Sequence, residues 1–282
     1  MPWFLLFIFG LVIGSFLNVV SLRYDGDHFV LDPRVIGGRS HCPSCGRTLR
    51  WFELVPLVSF LIQGGRCRRC RSHLSIQYPI VEFISGLLFV FVPLRTGGFL
   101  ASPFAWCSPA LWTLAFLTLL LASVIDIRTG IIPDELNVAL GIFAVALGIF
   151  LATSPDSSSS LTGPFGGMFG VVGSIWTSRV IGAVFGLAFF EFLLLVTRGR
   201  GIGMGDVKLA LPLGFLLGWP DILPVVGFAF ISGALVGISL VLLKKKTMRG
   251  ALPFGPFLAF GAAFIFFFGV PVAQWYLRLM GL

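Results

Sequence analysis

Residues 2–20 read PWFLLFIFGLVIGSFLNVV, a run of nineteen residues without a charged side chain. A helix needs about 20 apolar residues to cross a bilayer, so this run is long enough. No Lys or Arg precedes Arg23, so the basic segment of a secretory signal peptide is missing. Gly10 and Gly14 form a GxxxG pattern, which favours close packing against another helix. We therefore expect a first transmembrane helix here.

The rest of the chain repeats this pattern of long apolar runs. Hydrophobic residues make up 57% of the 282 residues and charged residues 11%, and the mean hydropathy is +0.99. These values exclude a disordered chain and disfavour a soluble enzyme. Seven further apolar runs lie at about 78–94, 106–125, 135–152, 178–197, 207–219, 222–243 and 254–277. We predict an all-α polytopic membrane protein of about eight transmembrane helices, in which the run 207–219 is short enough for a re-entrant or broken helix.

The basic residues predict how the chain crosses the membrane. With the N-terminus outside, 17 of the 20 Lys and Arg residues fall in inside connections, as the positive-inside rule requires. Nine arginines lie in the polar loop 23–77, where anionic lipid headgroups are the first candidate partner and a charged substrate segment the second. Nucleic-acid binding is disfavoured, because few aromatic residues alternate with these arginines. The segment 153–176, rich in Ser and Gly, is expected to be a flexible outside loop.

Four cysteines in the loop 23–77 predict a metal centre. Cys42 and Cys45 form one CxxC pair, and Cys67 and Cys70 form another after 21 intervening residues. Two such pairs can supply four thiolates to one zinc ion, and a cytoplasmic loop keeps thiols reduced. Because four thiolates fill a tetrahedral coordination sphere, we expect a structural zinc site in this cytoplasmic loop. The flanking residues His41 and His73 are alternative ligands.

Two aspartates at the ends of apolar runs are candidates for acid–base chemistry. Asp126 ends the run 106–125, and Asp206 follows Gly203 and Gly205 in a GxGD motif. The predicted topology puts both at the cytoplasmic ends of their spans. Two adjacent carboxylates can share a proton, so that one acts as a base towards water and the other as an acid towards a carbonyl. On the charges alone, two helix-end caps remain an open alternative, and Lys208 would pair with Asp206 or with a phospholipid.

Seven motifs, in this order along the chain, resemble those of the type IV prepilin peptidases. They are Gly14-Ser-Phe-Leu-Asn18 with Arg23, Ser40-His-Cys-Pro-Ser-Cys45, Gly65-Arg-Cys-Arg-Arg-Cys70, Tyr78-Pro-Ile-Val-Glu82, Asp126 with Ile132-Pro133-Asp134, Gly203-Met-Gly-Asp206-Val-Lys208, and Pro253-Phe-Gly-Pro256-Phe-Leu-Ala. The combination covers most of the chain and is far more specific than GxGD alone.

The resemblance implies an activity and a location. Asp126 and Asp206 would be the catalytic pair, which cleaves the basic leader of prepilins or pseudopilins after a glycine at the cytoplasmic face of a bacterial inner membrane. Bifunctional members, which serve type IV pili and type II secretion, then N-methylate the new N-terminus with S-adenosylmethionine. Asn18 and Glu82 are the candidate methyl-transfer or substrate residues. No strand-linked GxGxxG motif supports a Rossmann site for this cofactor.

We expect two parts in the chain: residues 1–98 with the zinc loop and the methyl-transfer activity, and residues 99–282 as a six-helix peptidase core. Two other classes stay open at this point. A presenilin-like protease also uses GxGD, but its Tyr-Asp pair is absent, because Ile125 precedes Asp126. A proton-coupled carrier would use the aspartates as relay groups, but it would leave the zinc loop unexplained.

Overall fold

A computed structural model describes residues 2–97, 106–153, 160–169, 174–199, 201–244 and 252–281. Within these ranges the regular elements are helices, accompanied by two isolated β-bridges. The α-helices are α1 Pro2–Arg23, α2 Pro33–Ile36, α3 Val58–Ile62, α4 Gln77–Arg95, α5 Cys107–Thr129, α6 Asp134–Thr153, α7 Pro164–Phe169, α8 Ile175–Thr197, α9 Met204–Leu217, α10 Ile222–Leu242 and α11 Gly255–Leu279. A 3₁₀ helix covers Trp51–Glu53. The predicted all-α membrane class is confirmed.

Each of the eight predicted apolar runs forms a helix. Seven helices in the described residues are long and apolar enough to cross a membrane. The eighth, α9, has 14 residues and is about 21 Å long, shorter than the ~30 Å hydrocarbon core. The short helices α2, α3 and α7 lie in connections where the sequence predicted no element, because four to six residues are too few for a clear hydrophobic period.

Parts of four predicted connections lie outside the described residues. They include Lys245, Lys246 and Arg249, Arg200, and much of the segment 153–176, namely 154–159 and 170–173.

The described chain forms two compact units, Met1–Pro109 and Ala110–Leu282. In the N-terminal unit, α1 and α4 pack closely and run in opposite directions. A Cβ atom on Gly10 would lie 2.8 Å from the Cα of Gly86, and one on Gly14 would lie 2.7 Å from the Cα of Glu82. The two glycines of the GxxxG pattern therefore let the backbones approach.

In the C-terminal unit, a similar stripe of small residues joins α8 and α9. A Cβ on Gly182 would lie 2.5 Å from the carbonyl oxygen of Gly214, and one on Gly186 would lie 2.6 Å from that of Ala210. A step of four residues forward on α8 matches a step of four backward on α9, so the two helices are antiparallel. This packing fixes the position of α9, which carries Asp206 in its first turn.

The carboxyl end of α9 is held by a buried arginine. Arg179 is 4% exposed. Its Nη1 donates to the carbonyl oxygens of Phe215 at 3.0 Å, Leu216 at 3.2 Å and Ala144 of α6 at 3.2 Å. The last carbonyls of a helix lack partners within the helix, and leaving them unpaired in an apolar bundle is costly. Arg179 thus allows α9 to end early.

Helices α5 and α11 are also antiparallel neighbours. Near the start of α5, the rings of Trp112 and Phe116 lie with their centroids 4.6 and 5.0 Å from that of Phe266 on α11. At the other end, the first residue of α11, Gly255, contacts Asp126 near the end of α5. This pairing brings the amino end of α11 to the first aspartate.

Candidate active site and metal centre

Asp126 and Asp206 lie together in the C-terminal unit, each close to a helix end. Asp126 is three residues before the end of α5 and is 5% exposed, and Asp206 is the third residue of α9 and is 7% exposed. The two carboxylates are near enough to interact electrostatically. The structure therefore brings together the two acids that the sequence analysis selected.

The backbone N–H of Gly255 links the two carboxylates. It donates to Oδ2 of Asp126 at 3.1 Å, and it also interacts with the carboxylate of Asp206. Asp206 accepts a second backbone hydrogen bond, from the N–H of Gly203 at 3.2 Å. The donors at Gly203 and Gly255 belong to the amino ends of α9 and α11, where unpaired N–H groups and the helix dipole favour a negative charge.

Gly255 makes this close arrangement possible, and Gly205 lies next to it across Ile132. A Cβ on Gly255 would lie 2.8 Å from Oδ2 of Asp126 and 3.1 Å from Cδ1 of Ile132. A Cβ on Gly205 would lie 3.4 Å from the Ile132 side chain. Ile132 is 5% exposed and therefore packs between the GxGD turn and the start of α11. Both segments are motifs in the sequence, but neither motif by itself indicates a role for Gly255 or Ile132.

Lys208 pairs with an aspartate outside this pair. Its Nζ lies 2.9 and 2.8 Å from the two carboxylate oxygens of Asp134, and both side chains are largely exposed. The expectation that Lys208 pairs with Asp206 is therefore corrected, and a contact between Lys208 and a phospholipid stays a prediction. The reason is helical geometry: Lys208 is two residues after Asp206, and side chains two apart leave an α-helix in different directions.

The arrangement at Asp126 and Asp206 is suited to acid–base chemistry. Two buried, interacting carboxylates favour a state in which one is ionised and the other protonated, since two adjacent charges repel each other. Such a pair holds a base and an acid within reach of one substrate.

The four cysteines of the N-terminal unit form a site of the predicted kind. Their sulfur atoms all lie within 4.8 Å of one another, and the sulfurs of Cys42 and Cys70 are 3.8 Å apart. A metal–sulfur distance of ~2.3 Å in a tetrahedron gives sulfur–sulfur edges of about 3.8 Å. The donor set and its geometry therefore fit one tetrahedral metal ion.

The two CxxC segments have the same pattern of backbone hydrogen bonds. The N–H of Cys42 donates to the carbonyl of Arg47, and that of Cys67 donates to the carbonyl of Ser72, both at 2.9 Å. The residues that follow the second cysteine of each pair, Gly46 and Arg71, both have positive φ, 65° and 56°. Each segment is thus a tight turn that points two thiols the same way.

One thiol group, that of Cys70, is also prepared electrostatically for metal binding. The hydroxyl of Ser72 lies 3.1 Å from the sulfur of Cys70 and, as a donor, lowers the pKa of that thiol to about 6. A thiolate is the form that binds a metal. Among the described residues, the metal-binding group consists of the four cysteines, and the alternative ligands His41 and His73 do not belong to it.

Asn18 and Glu82 lie at the contact between α1 and α4. The Nδ2 of Asn18 donates to the carbonyl of Tyr78 at 3.1 Å, and its Oδ1 accepts from Gln77 at 3.3 Å. The carboxylate of Glu82 accepts from the backbone N–H of Leu57 at 2.8 Å and from the side chain of Ser15. Because Asn18 is 1% and Glu82 6% exposed, the pair by itself does not form a site for a cofactor as large as S-adenosylmethionine.

Both halves of the chain match known family models. Residues 8–96 match the bacterial peptidase A24 N-terminal domain, and residues 113–238 match the type IV leader peptidase family.

Curated relatives match almost the whole chain. A prepilin leader peptidase/N-methyltransferase of Bacillus subtilis is 32% identical over 98% of this chain and 98% of its own length. Proteins of the same name from Burkholderia pseudomallei and Pseudomonas aeruginosa are 35% and 31% identical over 97% of this chain and 87% and 93% of their own lengths. These matches favour a leader peptidase over a presenilin-like protease or a proton-coupled carrier. No solved structure gives a significant match.

The cysteine geometry predicts one bound metal ion per chain. Elemental analysis of gently purified protein should find it, and replacing Cys42 and Cys67 together by Ser should release it, because each CxxC pair then loses a ligand. Residues 40–75 should become more sensitive to proteolysis, since a structural metal stabilises the folded loop directly. Cys107→Ser is the matched control, because Cys107 lies outside the group, and it should retain the metal. Wild-type protein without stoichiometric metal would contradict the assignment.

Proposed function

This chain belongs to the type IV leader peptidase family, and we propose that it is a membrane aspartyl endopeptidase acting on prepilins or pseudopilins. The observation that carries the proposal is the buried pair Asp126 and Asp206, linked through the N–H of Gly255. We propose these aspartates as the catalytic residues, with Gly203, Gly205 and Gly255 positioning them. The substrate class rests on the names of the relatives.

The proposed mechanism uses one proton shared by the pair. The ionised carboxylate accepts a proton from a water molecule, which attacks the scissile carbonyl carbon, and the protonated carboxyl donates to the carbonyl oxygen. The tetrahedral intermediate then breaks at the C–N bond as the amine takes up a proton from the pair. Burial of both carboxylates limits competition from bulk water and strengthens their interaction with the substrate.

The membrane setting matches the shape of a prepilin, an apolar helix preceded by a basic leader. The chain is a multi-pass membrane protein, and we propose a bacterial inner membrane with the N-terminus outside. In this orientation Asp126 and Asp206 lie at the cytoplasmic ends of α5 and α9. A substrate helix in the lipid would present its scissile bond at the same depth, while its leader stays in the cytoplasm. A glycine before that bond extends readily, since it lacks a Cβ.

We further propose that the N-terminal unit carries the second activity, methylation of the new N-terminus. S-Adenosylmethionine would supply an electrophilic methyl group for this reaction, and Asn18 and Glu82 are the candidate polar residues. A nearby carboxylate such as Glu82 could accept the proton that the ammonium group must lose before it becomes a nucleophile. The metal of the Cys42, Cys45, Cys67 and Cys70 site is proposed to be structural zinc, because no coordination position remains for water.

Asp126→Asn and Asp206→Asn should each reduce cleavage of a prepilin to background, because neither amide can exchange the shared proton. General acid–base catalysis alone contributes about 10²–10⁴-fold to a rate. The measurement is the fraction of prepilin cleaved by purified enzyme in lipid, read by mass spectrometry. Asp134→Asn is the control, because it removes an exposed ion pair worth about 0–1 kcal/mol and should leave cleavage intact. Normal processing by either test variant would exclude the pair.

Gly255→Ala should lower kcat about 10- to 100-fold with little change in KM, because a displacement of ~1 Å at a catalytic group costs on that order. The new methyl group would stand 2.8 Å from Oδ2 of Asp126 and would push that carboxylate from its place. Gly227→Ala is a suitable control, since a Cβ there meets no atom within 4 Å. If both variants cleave prepilin at the wild-type rate, Gly255 does not position the pair.

Glu82→Gln should leave cleavage largely intact and lower the methylated fraction of processed pilin, measured by mass spectrometry. Glutamine keeps an oxygen that can accept from the N–H of Leu57, but it cannot take up a proton. The substitution therefore distinguishes two roles of Glu82: accepting a proton during methylation, and holding Leu57 in place through a hydrogen bond. Equal methylation in variant and wild type would assign Glu82 to the second role alone.

A further inference from the structure

The segment Trp51–Ile62, between the two CxxC pairs, turns its apolar side chains away from the protein. Trp51 is 79% and Leu61 74% exposed. The exposed apolar side chains are spread over the whole segment, from the 3₁₀ helix Trp51–Glu53 to the end of α3. They are Trp51, Leu54, Val55, Val58, Leu61 and Ile62. Glu53 of the same segment is instead buried, and it forms an ion pair with Arg47 at 3.1 Å.

This segment is attached to a membrane-spanning helix. The N–H of Leu57, at its centre, donates to the carboxylate of Glu82 at 2.8 Å. Leu57 has φ 58° and ψ −51°, a positive-φ conformation that is unfavourable for a leucine and persists only where the surroundings impose it. Glu82 is the sixth residue of α4, and helical side chains point towards the amino end. The segment is therefore held beside the first turns of α4.

The segment Trp51–Ile62 lies at the level of α4 where apolar side chains are also exposed. Ile80, Phe83 and Ile84 lie on the same turns of α4 as Glu82, and all three are exposed. On a helix that crosses a bilayer, such side chains face acyl chains. The exposed apolar side chains of Trp51–Ile62 are held at the same depth, so acyl chains are available to cover them as well.

Basic side chains accompany the apolar face. Arg50, Arg66, Arg68, Arg69 and Arg71 are all exposed in the same loop. The guanidinium of Arg68 lies 5.1 Å from the ring centroid of Phe52, within the segment itself. An apolar face with a tryptophan, accompanied by arginines, is the composition of an element that lies in the plane of a membrane containing anionic lipid.

We propose that Trp51–Ile62 is an interfacial membrane element, with its exposed apolar side chains among phospholipid acyl chains and the nearby arginines on lipid phosphates. The loop that holds the metal site is then fixed to the membrane surface at its centre as well as at the ends of α1 and α4. This inference concerns the N-terminal unit alone and does not depend on the proposed peptidase activity.

Photo-crosslinking of the full chain tests this placement. The photoreactive residue p-benzoylphenylalanine replaces Leu61 in one variant and Trp51 in a second, each in vesicles of phosphatidylethanolamine and phosphatidylglycerol. A third variant carries it at Thr48, an exposed position of the same loop outside the apolar face. Both test positions are exposed, so the substitutions should not disturb folding. After irradiation, mass spectrometry of the intact protein detects covalent lipid adducts.

Lipid adducts should form from positions 51 and 61, and the yield from position 48 should be clearly lower. The adducts from positions 51 and 61 should still form when a prepilin is added. Equal yields at all three positions, or no adduct at 51 and 61, would overturn the proposal. Replacement of the lipid adducts by prepilin adducts would also overturn it and would identify the face as a substrate-binding surface.

Discussion

The pair of aspartates in the C-terminal unit is organised around one backbone donor, the N–H of Gly255, which donates to buried Asp126 and lies close to the buried carboxylate of Asp206. Charged groups inside an apolar bundle must find partners within the protein, because lipid offers none. Gly203 supplies a second backbone donor to Asp206. The N–H groups at the amino ends of α9 and α11 have no acceptor within their own helices, and the aspartates accept hydrogen bonds from them. The same rule explains Arg179, which gives the opposite end of α9 its donors.

The sequence was informative wherever a side chain carried the signal. Charge-free runs predicted the spanning helices, thiol spacing predicted the group of four cysteines, and Asp126 and Asp206 stood out as acids at the ends of apolar runs. Gly255 could not be found in this way, because its contribution is a backbone N–H and the absence of a Cβ. It also lies beyond residue 238, where the match to the type IV leader peptidase family ends.

Other features needed the three-dimensional arrangement. Arg179 looks like an ordinary flanking charge in the sequence, and its role depends on where α9 happens to end. Lys208 is close to Asp206 along the chain, but the helical twist turns it towards Asp134. The hydrogen bond from Leu57 to Glu82 joins a loop to a helix that is 25 residues away in the sequence. No local sequence pattern in either segment predicts this bond. Short helices such as α3 were missed because five residues are too few to show a helical hydrophobic period.

The packing of α8 and α9 has a consequence for the order of assembly during synthesis. At about 21 Å, α9 is short for an independent span, and its carboxyl end relies on Arg179 of α8. The two helices are therefore best inserted as a hairpin. Gly255 follows this hairpin by almost forty residues and belongs to α11, which leaves the ribosome after α9. A nascent chain thus holds both aspartates well before it holds the backbone donor beside them, and the site is completed only when α11 has entered the membrane.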